Sequence, residues 1–427
     1  MPGRRKRIAK AEAINNRSYT ADNAPPAPKT WHDVSNKPLS TRRSVIIVTL
    51  GLFQILAWGS SFYLLSVLAL PIAEDTGWPT TTVIGGVSLA MLIAGFASPR
   101  VGKIIQVRGG RLVMAFSAVT FAAGLAIMGL APVLPVYLAA WVLIGFGMAS
   151  GLYDPAFATL GRIYGQAARP MITTVTLFGG FASTVCWPVT ALLLECFGWR
   201  WACLAYAAAH LFLALPAYLL LLPARAPGLV AADDTDGVKS ALPANKEATA
   251  LWVVGIILTT SGAMLALVSM HLLALLQTRG LELAAAVAFG ALVGPSQVAA
   301  RVVELTFGRF YHPLWTMLVG VSLVTIGILL LWMEVPVIAA ALITYGAGNG
   351  IISITRGSVP LVLFGSDRFA RTMGRLALPS LLAMAAAPTI GTLLIEKGGA
   401  SLTFLVLTSA SALNVALALV LIVGFRR

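Results

Sequence analysis

The chain has 427 residues, of which 58% are hydrophobic and only 11% are charged. A soluble domain carries about 25% charged residues, so this composition excludes a water-soluble globular protein. The formal net charge is +14, but the basic residues cluster between apolar segments, and that placement excludes nucleic acid as a partner.

The N-terminal stretch, residues 1–44, is polar, basic and rich in proline. The basic run from Arg4 to Arg7 is followed by the proline-rich residues 24–28 and not by an apolar core of signal-peptide length. Residues 1–44 are therefore predicted to form a disordered, basic cytoplasmic arm.

From residue 45 onward, apolar runs long enough to cross a membrane recur to the C-terminus. About 20 apolar residues in a helix span a hydrocarbon core of about 30 Å. The predicted helices are residues 45–70, 80–99, 112–131, 134–160, 171–194, 199–222, 250–276, 284–306, 314–333, 337–363, 374–395 and 401–424. The sequence therefore predicts an all-α membrane protein with twelve transmembrane helices.

The positions of lysine and arginine predict the orientation of these helices. With the N-terminus in the cytoplasm, all of the 30 Lys and Arg residues lie on the cytoplasmic side except Arg200, Arg279 and Lys397. Cytoplasmic loops of membrane proteins carry such a basic excess. We therefore expect a multi-pass protein of the cell inner membrane with both termini in the cytoplasm.

An internal repeat divides the membrane region. A shift of 201 positions places Arg100 on Arg301, Arg108 on Arg309, and Gly145-Phe146-Gly147 on Gly346-Ala347-Gly348. Self-similarity at a fixed spacing indicates repeated structural units. It predicts two six-helix, pseudo-symmetric bundles at 45–222 and 250–427, joined by a cytoplasmic linker at 223–249.

A motif lies between predicted helices 2 and 3. Its residues are Pro99, Gly102, Gln106, Arg108, Gly109 and Arg111. Glycines permit tight turns and close helix approach, and cations are stabilised at the carbonyl ends of helices. The stretch resembles the loop motif of major facilitator transporters, with Gln106 where that family usually has aspartate. The resemblance implies the major facilitator fold and a gating role for these residues. In that family the loop forms a charged latch with nearby helix ends, and the change to Gln106 implies that this latch is weakened or rebuilt. For Arg108 and Arg111, the alternative is that they only fix the membrane topology.

Other stretches are similar to monocarboxylate-porter-like members of that family. Residues 163–180 resemble their junction of helices 4 and 5, and Gln297 with Arg301 resembles their Asp-x-x-x-Arg pair, with an amide in place of the acid. Predicted helix 1 lacks the lysine that serves such members as a proton site. The stretches that also resemble a bacterial group associated with trivalent arsenic efflux are 179–188, 294–297 and 356–361.

Four charged residues stand out well inside the predicted helices, where a charge is costly unless it has a partner or a function. Arg301 is predicted to bind an anionic or polar substrate, with an ion pair to Glu304 on the same helix face as the structural alternative. Arg356 is a second candidate of the same kind. Asp154 and Glu304 are predicted to carry a coupling proton. Pro155 is expected to open the helix around Asp154, because it lacks a backbone donor. The alternative role of Asp154 is structural, as a latch in which it pairs with an arginine of the other half.

Uncharged polar residues complete the predicted substrate site. Gln297 lies one helical turn before Arg301. Gln54 and Trp58 are four residues apart and share a helix face, so both can point into a cavity; the alternative for Trp58 is a lipid-facing position. Asn349, set among glycines, is predicted to bind substrate, with helix packing as its alternative.

These patterns predict a secondary active transporter and not an enzyme. No Ser/His/Asp grouping, metal-ligand spacing or phosphate-binding loop occurs in the sequence, so no catalytic residue, metal or cofactor is expected. The predicted function is alternating-access transport of a small organic anion, monocarboxylate-like; the alternative is efflux of trivalent arsenic or another small toxic compound. A channel is disfavoured by the repeat. The expected partners are a small-molecule substrate, membrane lipid and protons as the coupling ion, and the protein is expected to be a monomer.

Overall fold

The computed structural model describes residues 39–224 and 244–425, and every regular element in these ranges is a helix. The α-helices are α1 Leu39–Gly59, α2 Leu65–Thr76, α3 Thr80–Arg108, α4 Arg111–Gly129, α5 Leu134–Gly151, α6 Tyr153–Tyr164, α7 Arg169–Gly180, α8 Ala182–Ala209, α9 Leu215–Leu221, α10 Ala244–Gln277, α11 Leu283–Gly290, α12 Val293–Phe307, α13 Pro313–Trp332, α14 Ile338–Phe364 and α15 Ser366–Phe425.

Eight stretches of the described chain are long and apolar enough to cross a membrane. One of them, Leu134–Leu221, contains three crossings, and another, α15, contains two. The chain reverses within them at Gly198 and Gly399, whose φ angles of 82° and 61° are readily adopted only by glycine. Together with α1 and α2, these stretches give the described chain the twelve predicted crossings, so the predicted fold class is confirmed.

Helix boundaries differ from the prediction in the motif between helices 2 and 3. The helix that was predicted to end at residue 99 continues through Pro99 to Arg108, so the expectation of a loop from Pro99 onward is wrong. Proline is tolerated within transmembrane helices because neighbouring groups satisfy the freed backbone. The motif residues from Pro99 to Arg108 therefore lie on α3, and only Gly109 and Gly110 form the turn.

Parts of the predicted arm and linker are helical. α1 begins at Leu39 and α10 begins at Ala244, both earlier than predicted. Residues 1–38 and 225–243 lie outside the described residues. The division of the chain at residues 45, 223 and 250 stays a prediction.

The fourth membrane crossing (crossing 4), formed by α5 and α6, is broken just before Pro155. α5 ends at Gly151 and α6 begins two residues later. Because Pro155 has no N–H, the Gly151 carbonyl four residues earlier has no helical donor. Gln54 supplies one instead, with its Nε2 donating to the Gly151 oxygen at 2.7 Å. The break thus ties α1 to α5 and places Asp154 in the first turn of α6.

Two glycines bring α3 and α15 into backbone contact. A Cβ placed on Gly102 would lie 3.0 Å from the Cα of Gly374, and one placed on Gly374 would lie 3.1 Å from the Cα of Gly102. Neither position has room for a side chain. The motif glycine Gly102 therefore serves close packing between the first six and the last six crossings.

We expect Gly102→Val to push α3 and α15 apart and to lower the melting temperature of the purified protein. Overpacking of this kind costs about 1–3 kcal/mol. Gly85→Val is the matched control, because Gly85 lies on the same helix with no atom within 4 Å of its Cβ position. Thermal unfolding in detergent measures both variants, and equal melting temperatures would contradict the close contact.

The two ends of the helix bundle differ in their packing. We call the end formed by residues 106–111, 165–169, 308–310 and 365–367 the motif end, and the opposite end, which includes Gly77, Gly198 and Gly399, the far end. Near the motif end, α7 packs against α12 and α14, and α6 packs against α15. Towards the far end, α2 packs against α3 and α8, which belong to the same six crossings. The structure is therefore closed across the motif end.

Candidate functional site

Arg301 occupies the centre of the candidate site, on α12, with only 4% of its surface exposed. Its Nε donates to Ser353 Oγ at 3.1 Å and to the Gly350 carbonyl oxygen at 3.4 Å, both on α14. Its Nη1 donates to the Thr176 carbonyl oxygen on α7 at 3.0 Å, and its Nη2 donates to Gln297 Oε1 at 3.4 Å. The guanidinium thus joins three helices, and the predicted neighbour Gln297 is one of its acceptors.

All four acceptors are neutral. No carboxylate among the described residues forms an ion pair with Arg301. The alternative pair with Glu304 is wrong, because Glu304 Oε1 lies 3.8 Å from Arg169 Nη2 and accepts a hydrogen bond from Thr316 Oγ1 at 3.1 Å. A buried cation without a counter-ion is costly. The position of Arg301 is therefore one where a bound anion would be stabilised.

Two glycines at the end of α7 make room for this arrangement. A side chain on Gly180 would collide with Nη1 of Arg301, and a side chain on Gly179 would collide with the hydroxyl of Tyr153. The Tyr153 hydroxyl donates to the same Thr176 carbonyl as Arg301, at 3.4 Å. The glycine pair thus lets an arginine and a tyrosine reach one backbone oxygen.

An aromatic cluster lies beside Arg301. The Trp58 ring lies 5.1 Å from that of Tyr153, 5.7 Å from that of Phe62 and 6.4 Å from that of Tyr63, measured between centroids. The Trp58 Nε1 donates to Gln54 Oε1 at 3.1 Å. Trp58 therefore packs among protein rings, on the same helix face as Gln54, and the substrate role predicted for both residues stays a prediction.

Arg356 and Asp154 form a second charged group, an ion pair that links α14 to α6. Two bonds of 2.7 Å join them, Nε to Oδ1 and Nη2 to Oδ2. Arg356 Nη1 also donates to Ser380 Oγ on α15 at 3.3 Å. Two-bond pairs of this kind are strong and directional. Unlike Arg301, Arg356 already has its anion, and the geometry agrees with the latch alternative for Asp154.

Asn349 has contacts of a different kind. Its Nδ2 donates to the carbonyl of Tyr345 in its own helix at 3.1 Å. Next to it, a Cβ on Gly350 would lie 2.9 Å from the Cα of Gln297, so the glycines serve close packing of α14 on α12. These contacts agree with the packing alternative. The predicted substrate role of Asn349 stays a prediction.

Three side chains bridge the motif end by donating to backbone carbonyl groups of the last six crossings. The bonds are Gln106 Nε2 to Asp367 at 2.6 Å, Gln166 Nε2 to Leu361 at 3.0 Å and Arg169 Nη2 to Gly308 at 2.6 Å. We call the two glutamine bonds the amide latch. An aspartate at position 106 could not donate to a carbonyl. Gln106 thus makes a neutral contact across the motif end.

The remaining motif residues lie around this contact. Arg108 is exposed at the C-terminal end of α3, where its charge is stabilised by the helix dipole. Gly109 ends α3 with a φ of 82°, and Arg111 begins α4. The gating roles predicted for these residues stay predictions.

We expect Gln106→Glu to loosen the motif end, because the donor is replaced by an acceptor that faces a carbonyl oxygen. Loss of such a bond costs about 0.5–1.5 kcal/mol. The labelling rate of a Ser366→Cys probe by a water-soluble maleimide should rise accordingly. Gln277→Glu makes the same chemical change at an exposed position of the far end and should leave that rate unchanged. Equal labelling in both variants would contradict a latch.

The described residues contain no group of three or more His, Cys, Asp or Glu that could hold a metal ion. Cys186 and Cys203 are buried and Cys196 is exposed. The Cys186 thiol donates to the Ile55 carbonyl oxygen at 3.5 Å. This thiol therefore contributes to the packing of α8 on α1.

Comparison with known proteins connects this architecture to a family. The family model described as the Major Facilitator Superfamily matches residues 50–355, well over half of the chain. Human monocarboxylate transporter 11 is 35% identical over 159 residues, which make up 36% of this chain and 31% of that protein. The mouse protein of the same name is 34% identical over 154 residues, 35% of this chain and 32% of that protein. The chain thus matches about a third of the length of these relatives.

Two solved structures resemble the chain over nearly its whole length. The human organic anion transporter MFSD10 (TETRAN) gives a TM-score of 0.70 at 18% identity, covering 90% of this chain and 100% of that one. The proton:xylose symporter XylE, bound to 6-bromo-6-deoxy-D-glucose, gives a TM-score of 0.71 at 12% identity, covering 91% and 96%. At these identities the likeness concerns the fold alone.

Proposed function

Because the chain belongs to the Major Facilitator Superfamily, we propose that it transports a small organic anion, monocarboxylate-like, across the membrane by alternating access. Members of this family are multi-pass membrane transporters and not enzymes.

The single observation that carries this proposal is the chemistry around Arg301. The guanidinium is buried, and it donates only to neutral groups, two of them at the long distance of 3.4 Å. A carboxylate is the ligand that a guanidinium binds with two parallel, charge-assisted hydrogen bonds. One carboxylate would neutralise the site, whereas a second carboxylate on the same molecule would leave a charge unpaired. The relative named as monocarboxylate transporter 11, 35% identical over 159 residues, supports the same class.

We propose protons as the coupling ion and Asp154 as their carrier. Protonation of Asp154 would remove its charge, release Arg356 and weaken the link between α6 and α14. XylE, which shares the fold, is named a proton symporter. Glu304, paired with Arg169 near the motif end, is a second candidate for the same task.

We propose further that the motif end faces the cytoplasm of an inner membrane, with both termini on that side, because the basic residues concentrate there. The two bundles, 45–222 and 250–427, would rock about Arg301 within a monomer. The structure would then be closed to the cytoplasm.

Flux into proteoliposomes that contain the full chain tests the proposal. We expect saturable uptake and counterflow of radiolabelled acetate and lactate, increased by an imposed proton gradient, with no uptake of neutral glycerol. Dicarboxylates such as succinate should compete poorly. Arsenite flux without carboxylate flux would overturn the proposal in favour of the arsenic alternative.

A further inference from the structure

A cavity of about 530 Å³ lies between α2 and α8, on the far-end side of Arg301. Its walls include Ser66 and Val67 on α2 and Ser183, Thr184 and Trp187 on α8. This volume falls within the range of about 300–1,000 Å³ that small-molecule sites occupy. Apolar walls with a few hydroxyl groups and one indole suit the apolar body of a ligand.

Arg301 and this cavity both contact the stretch of chain from the end of α7 to the first turns of α8. The guanidinium lies against Gly180. Ser183 and Thr184 follow three and four residues after Gly180, in the first turn of α8, and Trp187 follows one turn later on the same helix. At about 1.5 Å per residue along the chain, Ser183 and Thr184 lie roughly 5 Å and Trp187 lies roughly 10 Å beyond Gly180, the residue that the guanidinium contacts.

A row of aromatic rings follows the same path. Trp187, 44% exposed where it lines the cavity, meets Tyr63 at 6.1 Å between ring centroids and an angle of 87°. Tyr63 lies 6.4 Å from Trp58, and Trp58 lies 5.1 Å from Tyr153. The hydroxyl of Tyr153 in turn shares a carbonyl acceptor with Arg301. Four rings therefore lead from the cavity to the buried cation.

We propose that the transported anion is a carboxylate that carries an aromatic ring, with the carboxylate on Arg301 and the ring against Trp187 and Tyr63. This inference rests on the proposed function and names the substrate class of the same site. A carboxylic acid of two or three carbons does not reach the cavity, so the exposed indole of Trp187 stays in contact with water. A ring on a short alkyl chain reaches the cavity, buries apolar surface and meets aromatic partners in the edge-on geometry that such rings prefer.

The test compares ring-bearing with aliphatic monocarboxylates in proteoliposomes that contain the full chain. Phenylacetate and indole-3-acetate are measured beside acetate and lactate, for the wild type and for Trp187→Ala, Trp187→Phe and Trp201→Ala. Trp201 is the matched control, because it is 63% exposed on α8 and does not line the cavity. We expect a lower KM for the ring-bearing acids in the wild type.

Trp187→Ala should raise the KM for phenylacetate about tenfold, through loss of ring contacts and buried area, and change that for acetate less than twofold. Trp187→Phe should restore most of the preference, and Trp201→Ala should leave it unchanged. Transport of acetate and lactate without phenylacetate would overturn the inference and leave the proposed function intact. Equal effects of Trp187→Ala on both classes would also overturn it. Absence of flux for every carboxylate would overturn the proposed function, and this inference with it.

Discussion

Arg301→Gln is expected to abolish transport of organic anions. The glutamine retains a donor and an acceptor near Ser353 and Gln297 but removes the one buried cation that no carboxylate of the described chain neutralises. Loss of a buried, charge-assisted contact costs about 2–5 kcal/mol, or roughly 30-fold to more than 1,000-fold in affinity. Uptake of radiolabelled monocarboxylate into proteoliposomes measures the effect.

Stability separates this loss of function from misfolding. Since no carboxylate of the described residues pairs with Arg301, Arg301→Gln leaves none of them unpaired and is expected to melt at or above the wild-type temperature in detergent. Arg301→Lys keeps the charge but loses the two-bond geometry and should retain weak transport. Arg371→Gln removes a cation from the exposed surface of α15 and is the matched control. Normal transport by Arg301→Gln would exclude this residue from the site.

The second large effect is expected at the pair of Asp154 and Arg356. Asp154→Asn leaves the Arg356 cation without its partner of two 2.7 Å bonds. Breaking a buried pair from one side costs about 3–5 kcal/mol, whereas neutralising both sides is often tolerated. We therefore expect Asp154→Asn to unfold readily in detergent and the double variant Asp154→Asn, Arg356→Gln to regain most of the lost stability.

The double variant also tests proton coupling. It lacks a titratable group at position 154 but retains Arg301, so counterflow of monocarboxylate should persist while accumulation driven by a proton gradient is lost. Gradient-driven accumulation in the double variant would move the coupling site to another residue, with Glu304 as the next to test. A double variant no more stable than Asp154→Asn would show that the pair does not act as a unit.

Much of the fold follows from the sequence because a bilayer leaves a chain few options. Backbone groups must be satisfied within each helix, so apolar length and breaks at glycine and proline mark the crossings. The opening of the helix around Asp154 was predicted from Pro155, which removes one backbone donor. The continuation of α3 through Pro99 was not, because a proline inside a membrane helix and a proline at its end give the same local signal.

The candidate site was only partly predictable. Arg301 stands out because any charge inside an apolar helix does. Its neighbours come from α7 and α14, and helical periodicity cannot pair residues on different helices. The same limit explains why Glu304, three residues away, was the alternative partner considered for Arg301, whereas the structure pairs Glu304 with Arg169 on α7.

The residues that the sequence analysis missed have weak signals of their own. Tyr153 precedes Asp154 directly, and Tyr63 lies in the interruption between α1 and α2, but tyrosine is common in membrane helices. Ser353, one turn before Arg356, is an ordinary small residue until Arg301 contacts it. The acceptors of Gln106 and Gln166 are backbone oxygens, which every residue has, so side-chain identity carries no information about them.

The amide latch has a consequence for how the protein responds to the salt content of its surroundings. Attraction between exposed charges weakens as salt accumulates, because the screening length falls from about 10 Å at 0.1 M to about 3 Å at 1 M. A bond from an uncharged amide to a carbonyl oxygen escapes this screening. With Gln106 in place of an acid, the contact that this residue makes with the Asp367 carbonyl should hold equally well at low and at high salt, whereas the partly exposed ion pair of Arg169 is open to screening.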